Sequence, residues 1–99
     1  MNSERETRNA EQEQLLDEAI LRLLDENDQR FGLGANALSH LVTRFGFTVD
    51  KDAIARRMDY MSDDAIGYVR QVDKGNFNTA ARTWRITAKG TNHLREQGV

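Results

Sequence analysis

The sequence of 99 residues predicts a mostly helical α+β domain in the order helix, short strand, helix, helix, β-hairpin, helix. The first observation is helical spacing, with apolar residues every three or four positions in residues 11–27, 38–45 and 50–65. The second is the period-two alternation typical of strands in residues 66–73 and 82–86. Helical segments with one hairpin near the end favour a small sheet packed beside a helical layer.

Length and composition predict one domain. Residues 11–99 are assigned to it, and residues 1–10, which lack an apolar anchor, are interpreted as a flexible polar tail. Apolar residues make up 38% of the chain, and no apolar run approaches the ~20 residues that span a bilayer. Without an apolar leader segment, the cytoplasm is the expected location. The absence of cysteine excludes disulfides and thiolate metal ligands.

Charge is distributed unevenly along the chain. Residues 1–34 contain four basic and nine acidic residues, a net charge of −5. Residues 35–99 contain ten basic and seven acidic residues, a net charge of +3. Since net charge bears on partners and not on fold, the second part of the chain is compatible with a nucleic-acid partner without requiring one.

The first helix is predicted over residues 11–27 and has an unusually broad apolar stripe. Leu21 falls outside this stripe, on the far side of the helix. A small domain rarely covers so much of one helix, and twofold dimers are the commonest oligomers. A homodimer is therefore predicted, and the alternative is a core helix covered within one chain. The predicted interface consists of Leu16, Ile20, Leu21 and Leu24.

Two shorter helices follow a glycine break. Leu33 is predicted to form the short strand, Asn36 to cap the second helix and Gly46 to end it in the left-handed conformation. The buried positions of the second helix are Leu38, Leu41, Val42 and Phe45.

The third helix has a clear start signal. Asp50 can cap it, and Val49 and Ile54 stand at the positions of a hydrophobic staple. Its predicted buried face is Ile54, Met58 and Met61, with Ala65 at its end. Because only residues 46–49 separate the second and third helices, together they predict a helix-turn-helix.

The hairpin and the last helix complete the domain. The alternation is clearest in residues 66–72, where Ile66, Tyr68, Arg70 and Val72 share one face, and in Trp84 with Ile86. Thr87 is predicted to cap the last helix, and Leu94 to anchor it.

This element order resembles a winged helix-turn-helix domain over residues 11–97. Residues 55–69 (ARRMDYMSDDAIGYV) look like a recognition helix running into the first wing strand. Residues 84–90 (WRITAKG) look like the second wing strand and last helix of arsenical-repressor-like regulators. Residues 15–24 (LLDEAILRLL) and 49–54 (VDKDAI) are similar to small proteins of Mu-like prophages, described as phage proteins or regulators.

The resemblance implies a dimeric protein of phage origin that binds double-stranded DNA and regulates transcription. Recognition helices of this kind enter the major groove, and the wing contacts the DNA backbone. The chain departs from the prophage group in its longer wing loop, which carries Phe77.

The third helix is the first candidate DNA contact. Arg56 could read a guanine edge, with Lys51 beside it and Tyr60 reaching a phosphate. Three aspartates on the same face oppose a polyanion. The alternative is a solvated face with local ion pairs from Arg56 to Asp52 and to Asp59. The outward side chains are Asp52, Arg56, Asp59, Tyr60 and Asp63.

The wing is the second candidate and carries most of the local positive charge, opposed only by Asp73. Such residues set affinity and register on DNA without reading sequence. The alternative is that they protect an exposed strand edge from aggregation. The predicted phosphate contacts are Arg70, Lys74, Arg82 and Arg85.

Other chemistries lack their residues. With His40 and His93 as the two histidines and no cysteine, no metal-ligand spacing exists. No nucleophile-plus-base spacing or phosphate-binding glycine loop is present, so neither an enzyme nor a cofactor is predicted. The sequence therefore favours a winged-helix DNA-binding regulator. The alternative is a winged-helix module for protein–protein interaction or dimerisation that binds no nucleic acid.

Overall fold

The computed structural model describes residues 10–28, 30–72 and 82–97. It has four α-helices and a three-stranded antiparallel sheet, so the predicted mostly helical α+β class and element order are confirmed. A 3₁₀ turn, Val42–Phe45, follows the second helix. In chain order the elements are α1 (Ala10–Glu26), β1 (Leu33–Gly34), α2 (Ala35–Leu41), α3 (Lys51–Ser62), β2 (Val69–Gln71), β3 (Thr83–Ile86) and α4 (Ala88–Glu96).

The sheet has the strand order β1-β3-β2. Leu33 pairs with Trp84 on one edge of β3, and Gln71 pairs with the same residue on the other. The β2–β3 pairing is the predicted hairpin. Its loop lies outside the described residues, and the predictions for Lys74 and Phe77 fall there.

The core gathers side chains from every helix and from both long strands around Trp84, which is 1% exposed. Leu21 of α1 is fully buried. The prediction that it lies outside the buried face of α1, where a second copy could contact it, is therefore wrong. The reason is that α1 packs against β3 and α4 as well as against α2 and the 3₁₀ turn. The leucines on two sides of α1 therefore enter one core.

The α2 region corrects one predicted cap and confirms one turn. Gly34, in extended conformation, precedes the first residue of α2, so Asn36 lies inside the helix and does not cap it. Gly46 adopts φ of 89° after the 3₁₀ turn, as predicted. Its amide donates to the Thr43 carbonyl at 3.0 Å, closing the turn that redirects the chain toward α3.

α3 begins at the predicted cap, since the Ala53 amide donates to Asp50 Oδ1 at 2.8 Å. It ends at Ser62, earlier than predicted, and Ala65 is exposed and outside the helix. A turn follows in which the Gly67 amide donates to the Asp63 carbonyl at 2.7 Å. Because residues 66–68 lie in or next to this turn, β2 begins at Val69, later than predicted. Val69 is its buried residue.

Thr87 caps the start of α4, as predicted. The Thr87 hydroxyl accepts a hydrogen bond from the Gly90 amide at 3.1 Å and donates one to the Gly67 carbonyl at 2.6 Å. A Cβ at Gly90 would lie 2.3 Å from the Tyr68 carbonyl oxygen. Glycine thus allows α4 to lie directly against the chain that enters β2.

Candidate nucleic-acid interface

Arg82 joins the sheet to α3. Its Nε donates to Gln71 Oε1 at 3.0 Å, and its Nη2 forms an ion pair with Asp59 of α3. The guanidinium carbon also lies 4.8 Å from the centroid of the Trp84 ring. Because the guanidinium has three partners within the chain, a phosphate would have to compete for it.

Arg85 is held in a similar way by a different part of the chain. Its Nε and Nη2 donate to Asp28 Oδ1 at 3.0 and 2.7 Å. Asp28 follows the end of α1, so this contact links α1 to β3. Two of the predicted phosphate-binding residues are therefore already paired with carboxylates.

The pleat of the sheet divides the basic residues of the hairpin. Arg70 of β2 stands directly opposite Arg85 in the β2–β3 register, so these two share one face. Arg82 and Trp84 have the opposite parity along the strand and lie on the side facing α3. The predicted phosphate contacts on the hairpin are thus split between two faces, with Arg82 beside α3 and Arg70 and Arg85 on the other side.

The outward face of α3 carries the predicted recognition residues. Arg56 is exposed, and neither Asp52 nor Asp59 comes within ion-pair distance of it in the described part of the chain. Lys51 is exposed at the start of the helix. The predicted alternative, in which Arg56 is neutralised by local pairs, is therefore not the arrangement found. Tyr60 is 50% exposed and completes this face.

Arg57, next to Arg56, has a different role that the sequence did not reveal. Its Nε and Nη2 donate to Asp17 Oδ1 and Oδ2 at 2.9 and 2.7 Å, forming a bidentate ion pair between α3 and α1. Glu13 lies 3.5 Å from its Nη1, and the Tyr60 ring centroid lies 4.5 Å from its guanidinium carbon. The one signal in the sequence is that Asp17 and Arg57 both border apolar stripes. No sequence pattern indicates that these two residues, 40 positions apart, form a pair.

Burial perturbs this ion pair. Desolvation raises the pKa of Asp17 above its ordinary value, although the hydrogen bonds and charge of Arg57 oppose the shift. The hydrogen bonds that Arg57 donates to Asp17 in turn raise the pKa of Arg57. The pair therefore locks the orientation of α3 on α1 and contributes no free charge to the surface.

A groove of ≈ 400 Å³ lies between the first turns of α2 and α3 and strand β3. Lys51 and Arg82 line it together, which brings one residue of each predicted site to the same surface. Trp84 also borders the groove, and its indole Nε1–H has no hydrogen-bond partner among the described residues. Asp52 is the one acidic residue of the lining, and Lys51 is the basic residue of the lining that has no ion-pair partner among the described residues, since Arg82 is paired with Asp59.

The predicted dimer residues lie elsewhere. Leu16, Ile20 and Leu21 are 0% exposed and Leu24 is 2% exposed within one chain. These side chains offer no surface to a second copy in this conformation, because the other elements of the same chain already cover them. Whether the chain dimerises stays a prediction, but another surface would have to carry the contact.

Two other classes of feature are absent from the described residues. In residues 10–28, 30–72 and 82–97, no cluster of three or more His, Asp or Glu residues could hold a metal ion. The helices in those ranges include none long and apolar enough to cross a membrane. Comparison of the chain with protein-family models, curated proteins and solved structures gives no match.

Proposed function

We propose that this chain is a winged-helix protein that binds double-stranded DNA and regulates transcription. The element order, with a helix pair followed by a β-hairpin and a closing helix, is compatible with that fold. In this arrangement α3 is the recognition helix and the β2–β3 hairpin is the wing. The regulatory part of the proposal depends on the likeness of residues 15–24 and 49–54 to prophage proteins.

The single observation that carries the proposal is that Arg56 is exposed and has no carboxylate within ion-pair distance among the described residues. It is exposed on the outward face of α3, where nearby carboxylates could have neutralised it. Asp59 is instead paired with Arg82, and Asp52 stays outside ion-pair distance of Arg56 within the described residues. A guanidinium without a carboxylate partner, projecting from a helix surface, is suited to the O6 and N7 edge of guanine.

The remaining contacts follow from position. Lys51 and the groove beside it would hold a backbone phosphate, since the groove borders the first turn of α3. Tyr60, half exposed on the same helix, would donate its hydroxyl to another phosphate. Arg70 is exposed and offers a further cation on the other face of the hairpin. Arg82 and Arg85 would contribute only after exchanging a carboxylate for a phosphate.

A salt titration tests this proposal. Fluorescence anisotropy with a labelled random duplex should detect binding at about 50 mM salt, and the affinity should fall linearly on a log–log plot. Replacing both Lys51 and Arg56 by Ala should reduce the slope by about 1, because the lost phosphate contact of Lys51 contributes about 0.9. No binding of the unaltered chain at low salt would contradict the proposal.

A matched control separates specific contacts from net charge. Arg95 is exposed in the last turn of α4, so Arg95→Ala together with Lys89→Ala removes the same charge from another element. This control should leave the slope closer to that of the unaltered chain. Equal losses from both double variants would mean that binding follows net charge alone, and α3 would have no special role.

One observation favours a protein-interaction module as a second candidate. Arg82 and Arg85 are paired with carboxylates, whereas Asp52 on α3 and Asp63 just after α3 remain exposed. A surface with these acids would suit a basic protein partner better than a polyanion. Failure of DNA binding at low salt, with the fold intact by circular dichroism, would support this candidate.

A further inference from the structure

The outer face of α1, turned away from the core, carries an apolar patch outside the proposed DNA interface. Leu15 is 52% exposed, the highest value among the leucines of the described residues. It borders a groove of ≈ 240 Å³ between α1 and the segment that follows α2. This outer groove is lined by Leu15, Glu18, Ala19, Arg22, Phe45 and Phe47.

The patch contains both a projecting side chain and a recess. Leu15 projects from α1, while the two half-buried phenylalanines form the opposite wall of the outer groove. A surface that carries a knob and a hole side by side can complement itself when a twofold axis exchanges them. A leucine of a second copy would fill the recess and bury its own exposed surface.

The charges around the patch are also self-complementary. Glu11 lies toward the start of α1 and Arg22 toward its end, with Leu15 between them on the same helix face. In an antiparallel pair of α1 helices, Leu15 opposes Glu18 of the second copy when Glu11 opposes Arg22, and Glu18 lines the outer groove. The register that inserts Leu15 into the outer groove therefore also pairs the opposite charges.

The Arg22 guanidinium is held in place for such a contact. Its central carbon lies 5.7 Å from the Phe45 ring centroid, and that of Arg44 lies at the same distance from this ring. Arg44 also approaches Glu26 at 3.9 Å, so the basic end of the patch is partly ordered before any partner binds. Ordered side chains lose less entropy on association.

We propose that the outer face of α1 binds a second copy of this chain in an antiparallel, twofold arrangement. The contact uses Leu15 and the outer groove, in place of the buried leucines predicted from sequence. It does not depend on DNA binding. With few apolar side chains available, we expect a weak dimer with a dissociation constant of about 10–100 µM.

Sedimentation velocity over a concentration series tests this proposal on the full chain without DNA. The unaltered chain should shift from monomer to dimer, and Leu15→Glu should raise the dissociation constant at least ~10-fold. Because Leu15 is exposed, this variant should keep its fold, which thermal unfolding would verify. Phe31→Glu, at a large apolar side chain that is 46% exposed and does not line the outer groove, is the control and should dimerise normally.

Charge reversal tests the orientation. Glu11→Arg alone and Arg22→Glu alone should each weaken the dimer, and the double variant should recover it, because each acid meets a base across the axis. A monomer at every concentration up to ~1 mM would overturn the proposal. A dimer that ignores Leu15→Glu, or single variants whose losses add in the double variant, would also overturn it.

Discussion

The outward face of α3 and the β2–β3 hairpin both carry basic residues, but those residues differ in what they contact. On α3, Lys51 and Arg56 are exposed without a carboxylate in ion-pair distance among the described residues. On the hairpin, Arg82 is paired with Asp59 and Arg85 with Asp28. Counted along the sequence the hairpin is the more basic region, yet Arg82 and Arg85 are largely compensated.

The difference shows that the number of basic residues does not determine the field that a ligand meets. A guanidinium with a bidentate or short-range carboxylate partner projects little charge beyond that pair. We therefore place α3 above the hairpin as a DNA contact, although the hairpin carries most of the local positive charge in the sequence. Substitutions at compensated and uncompensated arginines, or at their carboxylate partners, test this contrast.

The largest effect on stability is expected at Arg57, and its neighbour Arg56 provides the comparison. Arg57→Ala leaves Asp17 without its bidentate partner in a half-buried site and should lower the free energy of unfolding by about 3 kcal/mol. Arg56→Ala, one residue earlier, removes an exposed side chain and should change it by less than about 0.5 kcal/mol. Urea denaturation measures both values. Similar losses in the two variants would erase the distinction between them.

A smaller effect is expected when a hairpin arginine is released. Asp59→Asn removes the charge that compensates Arg82, so DNA affinity at low salt should rise about 3- to 10-fold. The matched control is Asp63→Asn, which changes the same net charge on α3 at a carboxylate that accepts a hydrogen bond from the Ala65 amide. If both variants gain equally in anisotropy titrations, the gain comes from net charge and not from Arg82.

The smallest effect concerns pH and the Arg57 pair. The pKa of Asp17 is raised in the folded chain, so the folded state binds a proton there more readily than the unfolded state. Its ionisation therefore costs stability at neutral pH, and this cost disappears as pH falls through the raised pKa toward the ordinary value.

Asp17→Asn provides the reference, because it lacks this titration while the other carboxyl groups remain. The stability of the unaltered chain relative to Asp17→Asn should increase between about pH 7 and about pH 4, measured by urea denaturation. A relative stability that decreases over this range would mean that the charge of Arg57 outweighs desolvation in setting the pKa of Asp17.

Local signals in the sequence predicted much of the fold. Asp50 and Thr87 cap the helices that they were expected to cap, because an N-cap needs only a side-chain oxygen and an amide three residues later. Gly46 takes the expected left-handed conformation for an equally local reason. The predicted cap of α2, Asn36, is wrong, since Gly34 pairs with Thr83 and places the cap of α2 two residues earlier.

The order of the helices and strands, the caps of α3 and α4 and the apolar faces of α2 and α3 were determined by the sequence itself, because spacing and capping act within a few residues. Only the tertiary structure decided that α1 is covered on two sides, that Arg57 meets Asp17, and that Asp59 and Asp28 compensate Arg82 and Arg85. Those contacts join residues 23 to 57 positions apart. Which charges remain free for a partner is a property of three-dimensional packing, because compensation depends on distance in space and not on distance along the chain.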